Sequence, residues 1–312
     1  MIIIERTKDI EKPFTKAVVT IGNFDGVHIG HQSLFHQVVQ KAEAIGGTSI
    51  AITFEPHPLR VLNKNQQPPL ITLYEQKKEL MATTELDALI CLPFTPALAA
   101  VSAREFVEDL LVGRIGMRAI IVGSDYAFGR HREGGIDLLR TLGEELDYEV
   151  VVADWITTTH GDKGRISSTR IRQLVMAGQL NEARQLLGRN YQIRGTVIAG
   201  RNRGGKLLGF PTANIKLHDE LCPKTGIYAV TVDLDGRLLQ GVANIGYSPT
   251  FDDHVFTVEV HILDFNSDIY DRKIKVNFLQ RIRDEIKFNS IEELAAQIHK
   301  DIDTARELFR AL

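Results

Sequence analysis

The stretch Gly22-Asn23-Phe24-Asp25-Gly26-Val27-His28-Ile29-Gly30-His31 decides the fold of the first half of the chain. It follows the apolar run 17–21, which is typical of a buried strand, and it precedes residues 32–44, where apolar side chains recur at helical spacing. The stretch is therefore predicted to be a strand-to-helix turn. Glycines in such a turn let the backbone approach a ligand, and the first N–H groups of the helix suit an anion.

Two histidines, His28 and His31, lie three residues apart in this turn and are expected on one face of the helix start. A metal pair needs a further ligand, and none is nearby, since Cys91 and Cys222 are isolated and there is no His-Glu-x-x-His motif. Surface histidines at a capped helix are a second interpretation. The third, which we favour, is that both donate hydrogen bonds to phosphate oxygens at the positive end of the helix.

The size and composition indicate an ordinary globular protein. Its 312 residues suggest about two domains, and the formal charge of −3 argues against broad nucleic-acid binding. Two distant cysteines predict no disulfide framework and fit a reducing cytoplasm. The apolar start is too short for a signal peptide, and no apolar run approaches a membrane span. We therefore expect a cytoplasmic protein with no nucleic-acid or membrane partner.

Strand-like runs alternate with helical patterns through the first half, which predicts an α/β fold with a doubly wound parallel sheet. Ligands of such sheets bind at the carboxyl ends of the strands. Thr72 and Ser102 each begin a capping box ahead of a helix. The predicted strands are 17–21, 49–54, 88–92, 119–122 and 150–153.

Two other predicted strand ends carry unusual residues. The loop 54–58 is made rigid by two prolines and places His57 at the crevice, either against substrate or in a plain surface turn. The loop 123–130 holds Asp125, Tyr126 and Phe128 between glycines. These side chains could seat a flat aromatic ligand, or the two rings could belong to the core.

A polar and basic segment, Arg165-Ile166-Ser167-Ser168-Thr169-Arg170-Ile171-Arg172, precedes another helical pattern. Ser168 and Thr169 can cap the helix and offer hydroxyl and N–H groups to an anion. The arginines supply fixed positive charge for bidentate phosphate recognition. A solvated capping turn is the alternative.

These motifs together resemble a known family. The glycine turn with His-x-Gly-His is similar to the signature of the nucleotidyltransferase superfamily. With the Pro-His-Pro loop, the Gly-x-Asp-x-x-Phe-Gly loop and the Ser-Ser-Thr-x-Ile-Arg segment, the whole first half resembles the amino-terminal module of bacterial bifunctional riboflavin kinase/FAD synthetases. The resemblance implies catalysis by His28, His31 and Arg172, flavin binding by Asp125, Phe128 and His57, and ATP binding by Gly22, Phe24, Gly30, Arg165, Ser168 and Thr169.

The second half changes to short alternating strands, which predicts a small closed β-barrel followed by a C-terminal helix that begins after the capping box at Ser290. The boundary is predicted near the helix stop at Gly188, giving domains 1–188 and 189–312. The predicted strands are 191–198, 228–234, 238–245, 255–263 and 273–278.

Residues 200–206 almost spell a phosphate-binding P-loop, but Leu207 replaces the required Ser or Thr, and Pro211 follows too soon for a helix. A P-loop NTPase is therefore rejected. Gly205 and Lys206 could still cradle ATP phosphates, and a flexible hairpin is the alternative.

The motif Pro211-Thr212-Ala213-Asn214 resembles the riboflavin kinase family, in which the Thr and the Asn bind Mg²⁺ together with ATP. That role maps onto Thr212 and Asn214, whose oxygens are suitable hard ligands. The family's catalytic base, which acts on the riboflavin 5′-hydroxyl, maps onto Glu259. On the residues alone, a carboxylate buried in this apolar strand is costly unless it has a function or partners. An outward-facing side chain of an alternating strand is the alternative.

Over the full chain the resemblance implies an enzyme that phosphorylates riboflavin to FMN and then adenylylates FMN to FAD, with ATP as co-substrate and Mg²⁺ as cofactor. One alternative is a nucleotidyltransferase for another phosphate substrate with a regulatory barrel. Another is a tRNA-directed protein, which the acidic balance disfavours. We expect a monomer or a weak homo-oligomer.

Overall fold

A computed structural model of the chain describes residues 1–63, 67–154, 164–198, 210–217, 219–247 and 256–311. The chain divides into two compact units, Met1–Ser168 and Thr169–Leu312.

The first unit is built on a sheet of six parallel strands in the order β1-β4-β3-β2-β5-β6. The central strands consist of Val, Ile, Ala and Leu because both faces of a parallel sheet are covered by helices. All five residues of the strand Ala17–Ile21 are buried. The strands are β1 Ile2–Ile4, β2 Ala17–Ile21, β3 Ser49–Glu55, β4 Ala88–Pro93, β5 Met117–Gly123 and β6 Glu149–Ala153.

Helices connect these strands and cover the sheet. The first ends at Gly46, which adopts the left-handed conformation that favours glycine at a helix end. The helices are α1 Ile29–Ile45, α2 Pro58–Leu62, α3 Tyr74–Ala82, α4 Pro96–Ala99, α5 Ala103–Glu105 with a π-helical continuation Phe106–Ile115, and α6 Ile136–Leu146; short 3-10 turns cover Thr7–Asp9 and Arg130–Arg132.

The second unit contains a closed barrel of six antiparallel strands in the order β10-β11-β8-β7-β12-β9. Its interior is filled by large side chains such as Tyr191, Tyr228 and Phe278. The strands are β7 Tyr191–Ile198, β8 Ala213–Lys216, β9 Gly226–Leu234, β10 Arg237–Tyr247, β11 Phe256–Ile262 and β12 Lys273–Arg283.

Among the described residues, helices α7 Ser168–Met176, which begins at the last residue of the first unit, α8 Leu180–Leu187 and α9 Ile291–Ala311 accompany the barrel. Arg283 of β12 donates two hydrogen bonds to the buried carboxylate of Asp301 on α9, at 2.8 and 2.7 Å. Ser290 caps α9 as expected, with its hydroxyl accepting from the Glu293 N–H at 3.2 Å.

The fold class predicted from the sequence is confirmed, and each predicted strand is present with ends shifted by at most five residues. The short strands β1 and β8 lie outside the prediction. The predicted capping box at Thr72 is wrong: Leu73 precedes α3 without a side-chain cap. The Thr72 hydroxyl is instead bonded to the turn after β2.

The two compact units meet at residues 168–169, whereas the boundary predicted from the sequence lies at 188–189. The difference arises from α8, which packs on β7 and β12 of the barrel. Four side chains of α8 are buried: Leu180, Ala183, Leu186 and Leu187.

Candidate active sites

The strand order of the first unit creates a topological switch point between β2 and β5. From β2 the chain moves through β3 to β4 on one side, and it then returns to β5 on the other side of β2. Ligands of parallel sheets bind beyond the carboxyl ends of the strands at such a point. The turn 22–31 follows β2, and the loop 123–130 follows β5. The sheet therefore brings two of the predicted motifs to one crevice.

Asp25 holds the turn after β2 in place. Its buried carboxylate accepts hydrogen bonds from the N–H groups of Ile71 and Thr72, at 3.2 and 3.0 Å, and from the Thr72 hydroxyl at 3.2 Å. The same hydroxyl accepts from the Gly26 N–H at 3.0 Å. Phe24, Gly26 and Val27 all have positive φ angles, a conformation that needs such support in non-glycine residues. Neither Asp25 nor Thr72 is predicted from the sequence to be a functional residue.

His28 and His31 lie together at the N-terminus of α1. Their rings stack with centroids 3.5 Å apart, and His28 is the N-cap residue, whose Nδ1 accepts from the His31 N–H at 3.3 Å. A neutral ring that accepts at Nδ1 carries its proton on Nε2, so His28 Nε2 is a hydrogen-bond donor. The pair thus presents imidazole groups at the positive end of a helix, as an anion site requires.

Two glycines and a buried phenylalanine shape this pair. A Cβ at Gly30 would lie 3.2 Å from Cε1 and Nδ1 of His28, so a side chain there would press on the stacked ring. A Cβ at Gly22 would lie 2.8 Å from the Phe24 ring. The Phe24 ring is itself buried and makes an edge contact with His31, with centroids 5.2 Å apart. The Phe24 ring therefore helps to fix the position of the His31 ring.

The segment before α7 lies against the same turn. The Ser168 hydroxyl donates to the Asp25 carbonyl at 2.8 Å, and Ile166 is buried beside Gly30. Arg165 is exposed and pairs with Asp125 at 2.7 Å. The first unit thus brings together Arg165, Ser168, Asp125 and the histidine turn. Thr169 and Arg172 lie in the first turns of α7 and belong to the second unit.

The two aromatic residues of the loop after β5 differ in exposure. Phe128 is buried, packs against Phe106 and Gly134, and stacks with Tyr126 at a centroid distance of 5.4 Å. Tyr126 is only partly buried. The structure thus places the Phe128 ring in the core, which is the alternative that the sequence left open, and Asp125 at the surface.

At the end of β3, His57 caps the short helix α2, with Nδ1 accepting from the Leu59 N–H at 3.3 Å. Nearby, the buried ammonium of Lys77 donates to the Asn23 carbonyl and the Thr53 hydroxyl, at 3.3 and 3.2 Å. It therefore ties the histidine turn to β3. Burial lowers the pKa of Lys77. No pattern in the sequence distinguishes Lys77 from its neighbour Lys78, which is only half-buried.

The barrel carries the second set of predicted residues on its outer face. Glu259 of β11 lies directly opposite Asn214 of β8, and both are half-buried. Ala213 and Val258, which alternate with them, fill the interior. Glu259 thus faces outward, the alternative that the sequence left open, and burial against its surroundings raises its pKa.

Thr212 is exposed and lies immediately before β8, two residues from Asn214. Gly205 and Lys206 lie outside the described residues. Within the described ranges, no group of three or more His, Cys, Asp or Glu side chains could hold a metal ion. The helices in the described part of the chain include none that is long and apolar enough to cross a membrane.

Comparisons with known proteins agree on both halves. The FAD synthetase family model matches residues 10–170, and the riboflavin kinase model matches residues 187–309. Bifunctional riboflavin kinase/FMN adenylyltransferases from Listeria monocytogenes and Escherichia coli are 39% and 38% identical to this chain. The alignment with the Listeria protein covers 95% of this chain and 93% of that protein. The alignment with the Escherichia coli protein covers 96% of this chain and 95% of that protein.

The crystal structure of a macrolide-efflux protein from Streptococcus pneumoniae has the same overall fold. It matches with a TM-score of 0.86 and 33% identity over 98% of each chain.

The fold and the two family matches define an enzyme with an adenylyl-transferring α/β module and a flavin-phosphorylating barrel. The chain belongs to the bifunctional riboflavin kinase/FMN adenylyltransferase family. It phosphorylates riboflavin with ATP to give FMN, and it transfers an adenylyl group from ATP to FMN to give FAD and pyrophosphate.

Proposed function

We propose that the two reactions occur at two separate sets of residues, with Glu259 as the base of the kinase and His28 and His31 as charge-stabilising groups of the adenylyltransferase. The observation that carries the kinase assignment is the half-buried carboxylate of Glu259 directly opposite Asn214 on the barrel face. A carboxylate whose pKa is raised by burial is a stronger base at neutral pH.

In the kinase reaction, Glu259 accepts the proton of the riboflavin 5′-hydroxyl as its oxygen attacks the γ-phosphorus of ATP. The bond from that phosphorus to the bridging oxygen breaks, and ADP leaves. Asn214 lies opposite Glu259, and the exposed Thr212 two residues earlier offers a hydroxyl. Hydroxyl and amide oxygens are a donor set that fits Mg²⁺. When bound there with ATP, Mg²⁺ would neutralise charge on the phosphates. Gly205 and Lys206 are assigned to the same phosphates on sequence alone.

In the adenylyltransferase reaction, an oxygen of the FMN phosphate attacks the α-phosphorus of ATP, and pyrophosphate leaves. The substrate phosphate is itself the nucleophile, so the protein contributes positioning and charge stabilisation. His28 and His31, at the start of α1, donate to the phosphate oxygens, with Gly22, Phe24 and Gly30 shaping the turn. Arg165, Ser168, Thr169 and Arg172 are assigned to ATP, on resemblance and on the contact of Ser168 with the turn.

Flavin binding in the first unit is assigned to the loops after β3 and β5. Asp125 is exposed. His57 is buried at the start of α2, and the buried Phe128 ring would act through the loop that it anchors. We further propose that residues 1–188 and 189–312 act as the two catalytic domains, and that the protein works in the cytoplasm, since neither of its cysteines forms a disulfide.

The kinase assignment is tested with Glu259→Gln, which keeps the shape of the side chain but removes the base. Conversion of riboflavin to FMN should fall about 100-fold or more, whereas FMN supplied directly should still become FAD at the native rate. The second reaction serves as an internal control for folding. Retention of FMN formation would remove Glu259 as the base.

A further inference from the structure

A third polar residue, Asn244 of β10, continues the row formed by Asn214 and Glu259. In the register of the barrel, Asn214 pairs with Glu259 across β8 and β11, and Glu259 pairs with Asn244 across β11 and β10. Directly opposed residues of neighbouring antiparallel strands have Cβ atoms about 4.5–5.5 Å apart and point to the same face. Ala243 and Ile245, on either side of Asn244, fill the interior. Asn244 therefore stands on the outer face, beside the base.

The side-chain oxygen of Asn244 is buried, and it has no hydrogen-bond partner among the residues that the structure describes. An acceptor left in this state destabilises the fold, and buried polar atoms of native proteins almost always have a partner. The nearest side chain along the row, Glu259, offers a carboxylate, which cannot donate when it is ionised. The oxygen is thus poised to accept a hydrogen bond from a bound molecule.

The identity of the molecule that bonds to Asn244 follows from the order Asn214, Glu259, Asn244 across the strands. This step rests on the function proposed above. In that function the phosphates of ATP are assigned to Thr212 and Asn214, and the attacking hydroxyl to Glu259. Phosphoryl transfer needs the attacking and leaving oxygens roughly in line, so the rest of the acceptor extends away from the phosphates. On this face, that direction leads from β11 to β10 and to Asn244.

Asn244 lies one strand further from Asn214 than Glu259 does, because Glu259 stands between the two asparagines in the barrel register. This order favours a role toward the acceptor over a direct role in holding Mg²⁺, and the Mg²⁺ dependence of the variant distinguishes the two.

We propose that Asn244 binds the acceptor substrate: its side-chain oxygen accepts a hydrogen bond from the ribityl hydroxyl next to the one that is phosphorylated. Asn244 thereby aligns the 5′-hydroxyl with Glu259 and contributes to the selection of a polyol chain over a shorter alcohol. A site built to bond a substrate hydroxyl discriminates against analogues that lack it.

The test uses the full-length chain with Asn244→Ala and with Asn277→Ala as a matched control. Asn277 is also half-buried on the barrel, but it bonds to Gln192 and Thr231, away from the row. Kinase rates are measured with riboflavin and with 4′-deoxyriboflavin, and the concentration of Mg²⁺ that gives half-maximal rate is recorded for each variant.

Asn244→Ala should raise the KM for riboflavin about 5- to 50-fold, leave the KM for ATP and the Mg²⁺ dependence unchanged, and abolish the preference for riboflavin over the deoxy analogue. Asn277→Ala should keep that preference. An unchanged KM and preference in Asn244→Ala would overturn the proposal, as would a shift in Mg²⁺ dependence alone. Either result could coexist with inactivity of Glu259→Gln, so failure of this proposal is distinguishable from failure of the kinase assignment.

Discussion

The imidazole rings of His28 and His31 stack face to face, 3.5 Å apart, at the first turn of α1. The contact depends on Gly30, because any side chain there would approach the His28 ring. The relationship explains why a small residue stands between two histidines in this turn: it leaves room for two aligned imidazoles at the positive end of a helix.

Gly30→Ala should therefore lower the rate of FAD formation from FMN about 10- to 100-fold, because its Cβ would displace the His28 ring by a fraction of an ångström. Riboflavin phosphorylation should be unaffected. Gly135→Ala is the control, since a Cβ there has no neighbour within 4 Å. Equal FAD rates in both variants would show that the stacked arrangement is not needed.

Asp25→Asn tests the support of the turn. The Asp25 carboxylate accepts three hydrogen bonds, and an amide group would place an N–H against at least one donor. The free energy of unfolding should fall by about 1–3 kcal/mol, measured by denaturant titration of the full chain. Asp9→Asn, at an exposed ion pair with Arg6, should change it by less than about 0.5 kcal/mol. Similar values for the two variants would contradict the buried network.

Lys77→Met tests the buried ammonium that joins the turn to β3. Loss of this link should lower FAD formation about 10-fold or more by loosening the turn, whereas FMN formation should persist. Lys78→Met is the matched control, because Lys78 pairs with Glu5 and Glu75 instead. If the two variants behave alike, Lys77 does not position the site.

Glu259→Gln should also change the pH dependence of stability. Burial raises the pKa of this carboxyl, so the native state holds its proton more tightly than the unfolded chain does. The stability that it contributes is present below the ordinary glutamate pKa and is lost as pH rises through the raised value. The variant should therefore melt at a higher temperature than the native chain at neutral pH and at the same temperature near pH 4. A lower melting temperature at neutral pH would contradict the desolvation of Glu259.

Fragments of the second half test the predicted domain boundary. Residues 189–312 should convert riboflavin to FMN without making FAD. Residues 169–312 should do the same and melt at a higher temperature, because α8 packs on β7 and β12 with four buried side chains. Equal melting temperatures, measured by circular dichroism, would show that α8 is dispensable to the barrel unit.

The sequence predicts the parts of this protein that depend on local patterns. The strand β2, the start of α1 and the cap at Ser290 follow from periodicity and turn chemistry within a few residues. Resemblance of short motifs then identifies both reactions, which the family comparisons confirm.

The parts that escape sequence reasoning depend on distant contacts. Thr72 begins a capping-box pattern, but the hydroxyl bonds to Asp25, 47 residues away. Lys77 differs from Lys78 only in which face of α3 it occupies. The importance of Asn244 follows from its register with Glu259, which no pattern within one strand reveals.

The most direct test of two independent sites on one chain is a time course of flavins, separated by chromatography, after mixing riboflavin, ATP and Mg²⁺ with the His28→Ala, His31→Ala double variant. The native chain should form FMN first and FAD later. The double variant should accumulate FMN at the native rate and form little FAD. Equal loss of FMN and FAD in a folded double variant would contradict the separation of the two sites, and native FAD formation would remove the histidine pair from the adenylyltransferase reaction.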